Sequence, residues 1–380
     1  MIEKTALVYN PEIKNYSFGK GHPFTGERFE IFMKFLKEKL PAFNDYFVGV
    51  KPRSANEGDL RLFHSKEYIE AMKKASEGEI LPNIFQYTTI DNLDPSTGYL
   101  PRGIEEATRV LVGTTLTAAK LVFEGSFKKA ISIGGGLHHA KKSFGEGFCV
   151  YNDVVICAKK LLNWGLKRIL ILDTDAHAGN GTKEAFYEDG GTLSVPNYHA
   201  ERGRVLFIDL HQDPKTLYPG TGFLNEIGSG KGEGFTINIP LPPGASDFAY
   251  QYCFEKIIFP LAKEFKPEII IRNGGSDPHF KDSLTQLGLT LEGFKMIGKN
   301  IRKLAEFCDG KEIDLIASGY NLKILPFAWT NLISGLLNLP IDEKIFKEKI
   351  SPQKNSGLKE TKEIIKELTR ILQKYWKCFK

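Results

Sequence analysis

Short β-branched runs recur along the chain, separated by longer stretches of helical period. TALVY (5–9), AISI (130–133), RILILD (168–173), VLFIDL (205–210), FTINI (235–239), EIIIR (268–272) and IDLIA (313–317) read as strands. Several are apolar throughout, the mark of strands covered on both faces. Helical patterns open behind capping residues: Asn152 or Asp153 before VVICAKKLL, Asp247 before FAYQYCFEKIIFPLAKEF, and Thr290 before LEGFKMIGKNIRKLAEF. Strand alternating with helix predicts an α/β fold, a mainly parallel sheet with helices on both faces. YPGTGF and PLPPGAS read as ordered loops, and no repeat or low-complexity segment divides the chain. The expectation is one catalytic-sized domain over 1–340, with 341–380 as a helical extension packed on or beside it.

Ligands of such sheets bind beyond the carboxyl ends of the strands. After AISI comes GGGLHH, after RILIL comes DTDAH, after VLFI comes DLHQ, after EIIIR comes NGGSD, and after IDLIA comes SGY. One polar strand end is ordinary, because loops are polar. Five of them on one sheet edge predict an active site.

Composition narrows the class. With 42% hydrophobic and 12% aromatic residues among 380, the chain can bury a large core. It has no run of about 18 apolar residues, so no membrane span is expected. The start, MIEKTALVYNPEIKNY, is charged early and lacks an apolar signal core. The reading is a soluble, cytoplasmic protein. The formal charge of +5 resides in residues 341–380, where eleven Lys or Arg face six Asp or Glu; the other 340 residues are balanced at forty each. A basic tail can touch nucleic acid. Here Glu360, Glu363 and Glu367 interleave with Lys359, Lys362 and Lys366, which favours a solvated amphipathic helix, and nucleic acid is not an expected partner. Five cysteines (149, 157, 253, 308, 378) are scattered without a CxxC pair, which argues for free thiols in a reducing compartment.

The chemistry starts in DTDAHAGN (173–180). Asp175 and His177 stand two apart, on one side of an extended segment, and offer an oxygen and an imidazole nitrogen to a divalent ion. The bland reading is an Asp–His hydrogen bond. In NGGSDPHFKD (273–282), Asp277 follows a glycine pair at a strand end and makes a natural third ligand, leaving a position open for water. His279 is a competing ligand or, more ordinarily, a helix-start or surface histidine. The doublet His138–His139 then has a task. Adjacent histidines in regular structure diverge and seldom grip one ion, but two imidazoles can divide the general acid and base work that activated water requires. Asp173 and Asn180 are suitable partners for them. Tyr320, beside a glycine that gives it room, can donate to a developing oxyanion.

GGGLHHAKKSFGEGFCVYND, DTDAHAGNGTKEAFY, YPGTG with IGSGKGEGFTINIPLPPG, NGGSDPHFKDSLTQLGLT and SGYNL together resemble the ordered signatures of the zinc-dependent histone deacetylase superfamily. That family includes acetoin-utilisation proteins and acetylpolyamine amidohydrolases. GKGHPFTGERF (19–29) and LFHSKEYIEAM (62–72) extend the likeness, so that it covers about residues 5–335. The resemblance implies the arginase/deacetylase fold with an eight-stranded, mainly parallel sheet. It implies Zn2+ on Asp175, His177 and Asp277, other divalent metals being possible in vivo. It gives His138 and His139 the acid and base roles, with Asp173 and Asn180 as their partners, and makes Tyr320 the carbonyl polariser. Gly147, Phe148 and Tyr218 would line a narrow tunnel, Leu284 its rim, and Asp94 in NLDPSTG would grip the substrate backbone. A structural K+ is implied at Asp173, Asp175, His177 and Leu210. The expected partners are an acetylated lysine side chain or an acetylated polyamine or small amine.

Asn180 stands where many members carry Asp, although the class II-like branch also has Asn, and Asp209 stands where a hydroxyl residue is frequent at the potassium site. Tyr218 replaces a Phe. An arginase-like ureohydrolase would need Asp two residues after His177, where Gly179 stands. A silent acyl-lysine or polyamine sensor would have lost a ligand, the histidine pair or Tyr320, and all are present.

Overall fold

The computed structural model describes residues 3–188, 190, 204–342, 344–349 and 352–380. Eight strands make one all-parallel sheet: β1 (Thr5–Val8), β2 (Phe47–Val50), β3 (Lys129–Ile133), β4 (Ile169–Asp173), β5 (Val205–Gln212), β6 (Thr236–Leu241), β7 (Ile269–Gly274) and β8 (Glu312–Ile316). Their order is β2-β1-β3-β8-β7-β4-β5-β6. The seven strands predicted from apolar runs are all present. The eighth, β2, escaped because FVGV is short, contains Gly49 and exposes two of its residues at the sheet edge, so that it lacks a continuous apolar signature.

Residues cluster into two units interleaved along the chain: Met1–Gly165 with Gly179–Ala185 and Ile313–Ala317, and Leu166–Ala178 with Phe186–Glu312 and Ser318–Lys380. In the first, β1 lies between β2 and β3 in parallel register. Helix α1 (Ile104–Phe123) packs there, burying Leu111, Val112, Leu116 and Ala119. Helix α2 (Asp153–Asn163) opens at Asn152, whose side chain accepts the Val155 N–H at 3.0 Å. Asn152 is therefore the cap.

In the second unit β4 pairs with β7 and β5, setting Asp173 opposite Asn273 on one side and Asp209 on the other. This register brings the polar strand ends level with one another, because neighbouring parallel strands lie only about 4.8 Å apart. Thr290 caps α3 (Leu291–Ala305) through the Gly293 N–H. The helical run 247–265 starts behind Ser246, not behind Asp247 as the sequence pattern suggested. Asp247 instead accepts the Thr290 N–H and hydroxyl at 3.0 and 2.7 Å, so its carboxylate serves the neighbouring helix start. Helix α4 (Leu325–Leu337) meets α3 closely, since a Cβ at Gly298 or Gly335 would strike the other helix's backbone. The last helix, α5 (Leu358–Leu372), buries Ile365, Leu368 and Leu372. Beyond it Trp376 is buried, its indole donating to the Gly234 carbonyl at 2.7 Å.

No helix among the described residues is long and apolar enough to cross a membrane. All five cysteines are free thiols, four of them buried.

Candidate active site

The carboxyl end of β4 turns sharply into Asp175-Ala-His177. Asp173 Oδ1 accepts the Asp175 N–H at 3.1 Å, and Asp175 Oδ1 accepts the His177 N–H at 2.9 Å. Two successive carboxylate-to-backbone bonds thereby fix both side chains, as short acidic side chains do in turns. Asn273 Nδ2 donates to the second oxygen of Asp173 at 2.9 Å. From the end of β7 comes Asp277, fully buried. The Ser318 hydroxyl donates to its Oδ1 at 2.7 Å, and its Oδ2 is turned to His177.

His177 Nδ1 lies 3.1 Å from Asp175 Oδ1 and 3.1 Å from Asp277 Oδ2. One ligand atom from each of the three residues falls within 4.8 Å of the others, and all three residues are buried. Burial pushes the Asp277 carboxyl up, and the Asp175 charge adds to it. Burial opposes the His177 imidazolium, but hydrogen bonds to Asp175 and Asp277 and their charges outweigh it and raise its pKa. Two buried carboxylates thus press on one proton. A divalent cation would neutralise both with no proton needed, and two oxygens plus one imidazole suit zinc, with space for a further ligand. The three side chains thus have the chemistry to hold a divalent ion.

Tyr320 stands in the same unit. Its ring lies edge-on to His177 with centroids 6.1 Å apart. Its N–H donates to Asp282 Oδ2 at 2.7 Å, while Asp282 Oδ1 accepts the Leu284 N–H at 3.0 Å. Asp282, which the sequence reading passed over, therefore ties Tyr320 to Leu284. Gly319 before it has φ +125, and a Cβ there would run into the Ser276 hydroxyl, so only glycine gives the tyrosine this approach. Tyr218 and Leu284 are both well exposed, Tyr218 preceding a cis proline. Leu210, on β5, is buried. Its neighbour Asp209 has Oδ1 at 3.0 Å from His211 Nδ1. Burial opposes the His211 imidazolium, but Asp209 prevails and raises its pKa.

His279 is neither a surface residue nor a ligand of the cluster. It is fully buried, with Nε2 2.9 Å from Glu348 Oε1, and its Nδ1 accepts the Lys281 N–H. The Pro278 turn carries it inward, and the remote carboxylate partner gave no local sequence signal.

The first unit holds the histidine pair. His138 and His139 are buried, with Nε2 atoms 3.2 Å apart and ring centroids 4.2 Å apart. Neighbouring side chains diverge in helices and strands, but this segment is a turn, so the two rings converge. The loop is clamped from beneath. Asp153 accepts the N–H groups of Gly136 and Leu137, and Asn152 Nδ2 donates to the carbonyls of His138 and Ala140. His139 Nδ1 lies 2.8 Å from Asn180 Oδ1. The sequence pattern points to Asn152 or Asp153 only as a helix cap, and this second task of both depends on contacts with the distant loop.

Residues Glu146 to Cys149 form a tight turn closed by the Cys149 N–H to Glu146 carbonyl bond at 3.0 Å, with φ of 60° at Gly147 and 63° at Phe148. A left-handed Phe is costly and persists only where its surroundings hold it. Tyr16 OH donates to the Phe148 carbonyl at 2.5 Å, and the His22 ring packs edge-on at 4.5 Å. The Gly147 N–H donates to Asp91 at 2.8 Å. Asp94 sits in an exposed loop. The Ser96 hydroxyl and N–H hold its carboxyl below the usual range.

A parallel α/β sheet whose strand ends deliver a buried Asp–His–Asp cluster able to hold a metal ion defines the class. Residues 22–336 match the family described as "Histone deacetylase domain", and the chain belongs to that family. It is 34% identical over 384 residues to a "Probable deacetylase" of Archaeoglobus fulgidus, covering 99% of each chain. It is 35% identical over 343 residues to "Acetoin utilization protein AcuC" of Staphylococcus aureus (strain MRSA252), covering 90% of this chain and 83% of the relative. The fold matches the "Crystal Structure of HDA15 HD domain" with a TM-score of 0.81 and 24% identity, over 99% of this chain and 97% of that one.

Proposed function

We propose that the protein is a metal-dependent deacetylase that cleaves the acetamide of an acetyl-lysine side chain or an N-acetylated small amine. The observation that carries this is the buried Asp175–His177–Asp277 cluster, whose ligand atoms lie within 4.8 Å of one another. Family membership and relatives named as deacetylase and AcuC support the reaction class. Bound there, zinc or a similar ion supplies Lewis acidity toward the amide carbonyl and lowers the pKa of water.

The chain's own groups carry the protons. One imidazole of the His138–His139 pair takes a proton as water adds to the carbonyl carbon, and the pair delivers one to the amine as the C–N bond breaks, leaving acetate and the free amine. Asp173 orients His138, and Asn180 orients His139. The Tyr320 phenol donates to the carbonyl oxygen as it gains charge. Gly147, Phe148 and Tyr218 line the slot for the extended chain, Leu284 forms its rim, and Asp94 holds the substrate's backbone or amine end. Oxygens of Asp173, Asp175, His177 and Leu210 hold a structural K+. Asp209, engaged with His211, adds a negative charge next to that position.

The test is a substrate panel on zinc-reconstituted protein, comparing fluorogenic acetyl-lysine peptides with N-acetylated diamines, with and without chelator. Turnover that chelator abolishes and zinc restores is the expected result. Turnover indifferent to metal, or none on either class, would refute the reading.

A further inference from the structure

We propose that Glu146 is a positioning residue for His139, acting through the side-chain amide of Asn180. The inference rests on the proton-transfer role given to His139 above. Asn180 bridges two groups: its Oδ1 lies 2.8 Å from His139 Nδ1, and its Nδ2 lies 2.7 Å from Glu146 Oε1. A carboxylate only accepts hydrogen bonds, so Glu146 determines which end of the amide is the NH2. The oxygen then faces His139, whose Nδ1 must carry the hydrogen. In the neutral ring this leaves the lone pair on Nε2, the atom 3.2 Å from His138 Nε2. Were the amide to turn over, it would present NH2 to Nδ1 and stabilise the opposite tautomer.

Glu146 is itself held in place. Lys141 Nζ lies 2.9 Å from the same oxygen, and the Glu146 carbonyl closes the left-handed turn to Cys149. In that turn Gly147 lies against the His139 ring so closely that a Cβ would strike its Cδ2. The turn is therefore keyed to His139 twice, once through the glycine backbone and once through the Glu146–Asn180 bridge. Glu146 and Asn180 are also matched as acceptor and donor. An aspartate at 180 would set a second carboxylate at hydrogen-bond distance from the first, which asparagine avoids. The negative charge lies one residue farther from the imidazole, with a neutral amide relaying its direction.

The decisive comparison uses four zinc-loaded proteins: the parent, Glu146→Gln, Asn180→Asp and the double variant. Long-range 15N–1H correlation spectra of the histidines, with His139 assigned from His139→Gln, read the tautomer without reference to turnover. The parent is expected to hold His139 as the Nδ1–H form, and Glu146→Gln to mix the two forms. In acetyl-lysine hydrolysis, each single variant should lose about 10–100-fold in kcat. The double variant, with one carboxylate again in the chain, should recover most of that loss. An unchanged tautomer in Glu146→Gln, or a double variant no better than the product of the singles, would overturn the proposal. A parent that hydrolyses nothing would sink the deacetylase reading instead, and the spectra would still decide the role of Glu146.

Discussion

The Ser318 hydroxyl donates a 2.7 Å hydrogen bond to Oδ1 of Asp277, while Oδ2 of the same carboxylate faces His177 Nδ1 at 3.1 Å. One oxygen is thus occupied so that the other keeps its direction. Groups that orient a ligand in this way typically contribute about 10–100-fold to metal affinity. Ser318→Ala should weaken zinc binding by that factor, measured by competition with a chromogenic chelator. Parent-like affinity would mean that Asp277 is oriented by the fold alone.

Tyr320 reaches the cluster from a separate strand end and is fastened through its backbone to Asp282. Its phenol can therefore be removed with little disturbance of the main chain. Tyr320→Phe should lower kcat by about 10²–10³ with zinc content unchanged, the usual effect of losing one oxyanion donor. A rate within a few fold of the parent would exclude the phenol from the reaction.

His64 introduces an acid sensitivity. It is buried, its Nε2 accepts the Asn152 N–H at 2.9 Å, and burial lowers its pKa to about 3. The unfolded chain binds a proton at this site near pH 6.5, and the folded chain does not until about pH 3. Its contribution is therefore complete above pH 6.5 and is lost as the pH falls toward 3. Denaturant titrations should find that the parent loses about 2 kcal/mol between pH 7 and 5 that His64→Gln does not lose. Parallel profiles for the two proteins would show that this imidazole is not protonated on unfolding.

Trp376 anchors the end of the chain by packing its ring at an angle against Phe235 and Phe265 and donating to the Gly234 carbonyl. Trp376→Ala removes a large buried side chain and leaves that carbonyl without its donor. The expected cost is about 3–5 kcal/mol, read as a lower denaturation midpoint. A shift below about 1 kcal/mol would mean that the terminal segment adds nothing to the stability of the unit.

The parts of the fold and site that sequence made legible share a physical reason. β4, β5 and β7 are buried on both faces, so their apolar runs stand out, and parallel pairing aligns their ends. Asp175, His177 and Asp277 could therefore be grouped from their positions after strands. What stayed hidden depends on contacts between distant residues or on irregular backbone. His279 meets a carboxylate from the C-terminal segment. Asp282 joins Tyr320 to Leu284 across a loop. The convergence of the His138 and His139 rings needs a turn whose shape is set by Asn152 and Asp153. Nothing in FGEGFC marks Glu146, whose contact with Asn180 lies 34 residues away in the chain.

Glu348 binds the His279 imidazole and also accepts the Leu291 N–H at 2.6 Å at the start of α3. His279 lies two residues after Asp277, so this last stretch of polypeptide reaches back to the ligand loop. A version trimmed at Leu339 to remove the basic tail would leave that imidazole buried without its hydrogen-bond partner. Trimming of this kind would change the loop that presents Asp277, and weak metal loading in such a version would reflect the missing tail, not the catalytic residues.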